Sequence, residues 1–88
     1  MSKNNKFSDN QKNAAFDNAP GECTQWNNND ACTIKKDRHN RSMNLSNYGD
    51  RDRGDGWDIH HIDGNTRNNS LENLEAVTYK THNEINNS

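Results

Sequence analysis

Hydrophobic and polar positions alternate clearly in only one part of the chain. Over Trp57-Asp58-Ile59-His60-His61-Ile62 they alternate for most of the length, as a half-buried strand requires. Asp63-Gly64-Asn65 is a strong turn signal, and 66–72 reads as a polar loop. Alternation resumes at Leu74-Glu75-Ala76-Val77, which predicts a second strand. Thr78 is placed to cap a helix running from Tyr79 towards Asn86. The predicted order is strand, long loop, strand, helix. Trp57, Ile59, Ile62, Leu71, Leu74, Val77, Tyr79 and Ile85 are expected in or beside the core.

The first fifty residues are less patterned. Residues 1–20 read as a polar N-terminal lead-in ending at Pro20, the only proline. This segment is expected to be either disordered or a short helix in which Phe7, Ala14, Ala15 and Phe16 pack on the rest. Residues 21–30 look like loop, with Trp26 as a core anchor. Residues 31–36 and 44–48 contain β-prone runs, and 49–56 is a turn-rich connection.

Composition changes this picture in one respect. Only 26% of the 88 residues are hydrophobic and the mean hydropathy is -1.52. A chain this short and polar buries little apolar surface, so a metal, a disulfide or a partner is expected to assist the core. Asparagine fills 18 of the 88 positions, which favours turns and caps over strand and helix interiors. Cys23 and Cys32 lack the paired spacing of a structural zinc site. Two free thiols are the favoured reading, with one disulfide closing a short loop as the alternative.

Net charge is -2, which gives no global attraction to nucleic acid. Between Lys35 and Arg53, however, Lys35, Lys36, Arg38, Arg41, Arg51 and Arg53 face only Asp37, Asp50 and Asp52. That local excess could contact phosphates, although an ordinary solvated face of mixed sign is the favoured reading. No apolar run approaches a membrane span and no signal-peptide core is visible, so a cytoplasmic location is the expectation.

The chemistry lies in the row His60-His61-Ile62-Asp63-Gly64-Asn65, continued by Asn68-Asn69 and Asn73-Leu74, with His82 nine residues beyond Asn73. Each asparagine match is cheap here, but three of the four histidines fall in this pattern. The row resembles the HNH endonuclease family, over about 57–86. The resemblance implies an α+β fold with a small ββα-metal (His-Me finger) module at the C-terminal end, preceded by a loop-rich polar region with short strands. It divides the chain into the lead-in at 1–20 and a nuclease domain at 21–88, with the motif at 57–87.

By the same resemblance His60 and His82 are metal ligands, His61 is the general base, and Asn73 supports the catalytic loop. Imidazole suits the base role because its ordinary pKa lies near neutrality. Relatives often carry a third ligand where this chain has Asn86. An amide oxygen is acceptable to Mg2+ or Mn2+, which are therefore favoured as the divalent cofactor, with Zn2+ and Ni2+ as alternatives. Asp63 is a weaker ligand candidate. Arg67 and Lys80, with Arg51 and Arg53 upstream, are the candidate nucleic-acid contacts, and DNA is the expected partner. His39 is read as surface, or at most a phosphate contact. Three other readings remain: a non-catalytic metal-stabilised nucleic-acid-binding module, a nuclease toxin domain with an immunity partner, and a structural protein whose pattern is an accident of asparagine richness. A separate specificity partner is also compatible with so short a chain.

Overall fold

The computed structural model describes residues 7–87; the first six residues of the polar lead-in lie outside the described residues. Within them the chain is α+β, with two α-helices and two antiparallel sheets.

Helix α1 spans Asp9–Asn18. Ser8 and Gln11 form a capping box: the Gln11 amide donates to Ser8 Oγ at 3.1 Å, and the Ser8 amide donates to Gln11 Oε1 at 2.9 Å. Two of the orphan donors at the helix start are thereby satisfied. Pro20 follows the cap residue Ala19, where a helix cannot easily continue. The helix buries Ala15 and Phe16, with Ala19 beyond it, against Met43, Trp57, Ile59, Leu74 and Ala76. Phe16 and Tyr48 flank Trp57 at ring distances of 5.4 and 4.9 Å, and Trp57 Nε1 donates to the Asn44 carbonyl at 3.0 Å.

The first sheet is ordered β1 (Cys23–Trp26), β2 (Cys32–Lys36) and β3 (Ser42–Asn44). Several expectations are corrected here. Residues 23–26 are a strand rather than loop, and Trp26 is 56% exposed because the bulged β1 is an edge strand lying away from the core. Cys23 and Cys32 are joined in a disulfide, not free: hairpin pairing brings their Cα atoms to 6.0 Å. The expected strand at 44–48 is instead the end of β3 followed by a 3-10 turn, Leu45–Asn47, in which the Asn44 side chain accepts from the Ser46 amide. Asparagine at that point competes with the ladder for its own backbone.

The second sheet pairs β4 (Trp57–His61) with β5 (Leu74–Thr78), in a register that sets Ile59 opposite Ala76 and His60 opposite Glu75. Helix α2 (Tyr79–Asn86) follows directly, its N-cap Thr78 accepting from the Thr81 amide. Strand, loop, strand and helix thus come in the predicted order. Ile62 and Leu71 are exceptions to the expected core, at 48% and 41% exposed, since both sit in the long connection beyond the paired strands. Among the described residues no helix is long and apolar enough to cross a membrane.

Candidate active site

Strand alternation decides where the histidines go. Trp57 and Ile59 face the core and α1, so Asp58 and His60 face the side covered by α2. There the His60 ring meets that of His82, edge to face, at 5.6 Å between centroids. His61 turns the other way. Its ring lies 5.9 Å from that of Phe7, and its Nε2 is 2.8 Å from Asn69 Oδ1. At the end of the strand both faces open on one cavity of about 640 Å³, lined by His60, His61, His82 and Asn86 together with Asp58 and Phe7.

The loop between β4 and β5 is held from inside by Asn73, which is 7% exposed. Its Oδ1 accepts from the Asp63 amide at 3.0 Å, and its Nδ2 donates to Asp63 Oδ1 at 3.0 Å and the Asn68 carbonyl at 2.8 Å. The Ile62 amide also donates to the Asn73 carbonyl at 2.8 Å. Asp63 accepts further bonds from the Asn65 amide and Asn68 Nδ2, so its carboxylate organises the loop and does not face the cavity. Those donors, Asn68 foremost, hold its pKa below the usual carboxylate value. Gly64 turns the chain at φ +78°, a conformation that a side chain would strain.

Electrostatics favour a neutral His60. Burial lowers its pKa most, and the neighbouring His82, Arg38 and His61 add to this, partly offset by Glu75. A neutral imidazole is the form that binds a metal. Asp58 Oδ2 lies 4.0 Å from His82 Nδ1. Among the described residues no group of three or more His, Cys, Asp and Glu side chains is arranged to hold an ion. The donors present are two imidazoles, with the Asp58 carboxylate and the Asn86 amide on the same cavity wall.

The four candidate nucleic-acid contacts differ in their surroundings. Arg67 and Lys80 are exposed and form no ion pair among the described residues. Arg51 lies over the Tyr79 ring at 5.2 Å, and Arg53 Nε pairs with Asp55 at 3.1 Å. His39 is partnered by Glu84 at 2.7 Å. Several residues of the cavity were not anticipated at the site. Asp58 could have been found, because it lies two positions before His60 on the same strand face. Asn69 stands in the motif row, which by itself does not pair it with His61. Phe7 and Gln11 reach the site through the tertiary packing of α1, for which the sequence carries no local signal.

With this geometry in place, comparison with known proteins adds one finding. Residues 46–84 match the family described as HNH endonuclease. The match takes in β4, β5 and most of α2, hence His60, His61, Asn73 and His82, and leaves α1, β1, β2 and β3 outside the HNH segment. No curated protein matches the chain. No solved structure matches it either.

Proposed function

We infer that the protein is a metal-dependent HNH endonuclease that hydrolyses phosphodiester bonds of DNA, with β4, β5 and α2 forming its ββα-metal module. The observation that carries this reading is the opening of all three motif histidines on one cavity, with His61 turned away from the His60–His82 pair. That division gives two jobs to two places. His60 and His82 would hold a divalent cation, with the Asp58 carboxylate and the Asn86 amide as oxygen donors on the same cavity wall. So few protein donors would leave room for water and substrate oxygens; the oxygen donors would accept Mg2+ or Mn2+, and the two imidazoles also suit Zn2+ or Ni2+. When bound, the cation supplies neutralisation of the charge that builds on the phosphate and leaving oxygen.

The rest belongs to the chain's own side chains. His61 accepts the proton of the attacking water, Asn69 and Phe7 fix the direction of its ring, and Asn73 keeps the loop closed behind it. Arg67 and Lys80 contact flanking phosphates, which positions DNA without selecting a sequence. Cleavage of plasmid DNA across Mg2+, Mn2+, Zn2+ and Ni2+, run beside His61→Ala, tests the proposal. Cleavage should require a metal and fall by about 10²–10⁴-fold in the variant. Absence of cleavage with every metal would favour a non-catalytic binding module.

A further inference from the structure

Helix α2 carries His82, yet little apolar packing holds it. Eight residues are too few for a helix stable by itself, which needs about 12–15. Its only buried residue is Thr81. The pose of α2 must come from elsewhere, and the hydrogen bonds show where.

The turn at 37–41, between β2 and β3, grips α2, which carries His82, and β5, the strand paired with that of His60. The Asp37 carboxylate, on a residue 1% exposed, accepts from the Thr78 amide at 2.9 Å and hydroxyl at 2.8 Å, at the start of α2. Its other oxygen accepts from the amides of His39 and Arg41, which fixes the turn itself. Arg41 Nη1 donates to Thr81 Oγ1 at 3.0 Å, and its two Nη atoms reach both Glu84 oxygens at 2.6 and 2.9 Å. His39 takes the same carboxylate. Arg38 pairs through Nε and Nη2 with Glu75, the residue opposite His60 on β5. Thr81 and Glu84 lie on one face of α2, whereas His82 and Asn86, one turn apart, present another to the cavity.

We propose that the 37–41 turn is the positioning device that fixes His82 against His60, so that Arg41 sets the affinity of the pair for a divalent cation. The inference rests on the metal-site reading above and concerns residues outside the segment that matches the family. It gives Arg38 and Arg41 a role other than phosphate contact: their guanidinium groups are taken up by Glu75 and Glu84.

The test is a double-mutant cycle on the full chain, read by calorimetric titration with Zn2+. Arg41→Ala should weaken Zn2+ binding about 10-fold or more, and Arg41→Lys should restore part of it. In a His82→Ala background, adding Arg41→Ala should change the residual affinity no further, because the ligand through which Arg41 acts is gone. Equal losses in both backgrounds overturn the proposal, as does a folded Arg41→Ala protein that binds like the parent. Should Arg41→Ala fail to fold, Glu84→Gln on the exposed helix face takes its place, and unchanged affinity there is equally decisive. A parent chain that takes up neither Zn2+ nor Mn2+ overturns the metal-site reading and this proposal together, whereas binding without coupling overturns the proposal alone.

Discussion

His61 directs Nε2 at the Oδ1 of Asn69, 2.8 Å away. With an oxygen acceptor there, the neutral form of the ring carries its proton on Nε2 and leaves the Nδ1 lone pair free. The nitrogen left bare is the one that can take a proton from water. Asn69→Ala should therefore lower turnover about 10–100-fold while leaving KM and metal affinity near the parent values. Steady-state cleavage beside a metal titration checks this, and a variant as fast as the parent would show that the ring is oriented by other groups.

The clamp on α2 should be acid-sensitive. For Asp37 burial opposes the charge, but the hydrogen bonds its carboxylate accepts outweigh it and hold the pKa below the usual carboxylate value. Glu84 is brought down from 4.5 to about 2, first by its hydrogen bonds from Arg41 and then from His39. Both folded values lie below the unfolded ones. The stabilisation is thus complete above about pH 5 and lost as pH falls through the folded pKa values. Thermal melts from about pH 5 down to 2 should show Tm falling, less steeply in Glu84→Gln. The same slope in parent and variant would count against a depressed Glu84.

Arg38 and Glu75 predict a large stability effect on one side only. The Glu75 side chain is 6% exposed and that of Arg38 35%. Arg38→Ala strands a buried carboxylate and should cost about 2–3 kcal/mol, at or below the lower end for a buried pair because Arg38 is partly solvated. Replacing both with apolar residues should cost less. Denaturant melts of the single and double variants decide the matter; a smaller loss in the single variant than in the double would refute it.

Phosphate contacts should be few. Arg38, Arg41 and Arg53 are paired with carboxylates. Arg67→Ala and Lys80→Ala should each weaken DNA binding and reduce the slope of log affinity against log salt by about 1. Fluorescence anisotropy at several salt concentrations measures it. An unchanged slope in both variants would move the binding face elsewhere.

The legible part of this fold was the part governed by local rules. Alternation located β4 and β5, Thr78 marked the start of α2, and Asp63-Gly64-Asn65 marked the turn, because each depends on neighbours in sequence. Residues 44–48 and Trp26 were less legible. A strand beginning at 44 was stopped by an asparagine side chain taking up the backbone, and Trp26 lies on an edge strand that no local pattern could orient. The disulfide was open on spacing alone, since only the β1–β2 pairing decides whether Cys23 meets Cys32. The site follows the same division. His60, His61, Asn73 and His82 form a row with recognisable offsets, whereas Phe7, Gln11 and the 37–41 turn arrive from distant sequence.

Helix α1 packs Phe16 on Trp57, and Asn18 Nδ2 donates to the carbonyls of Leu71 and Leu74 at 2.8 Å each. The segment carrying the motif therefore borrows its core and a wall of its cavity from the opposite end of the chain. Grafting residues 46–84 onto another scaffold would carry over the histidines without the surfaces that orient them, so the motif is not portable at its own boundaries. A working transplant would have to begin no later than Phe7 or rebuild what that residue and the helix supply.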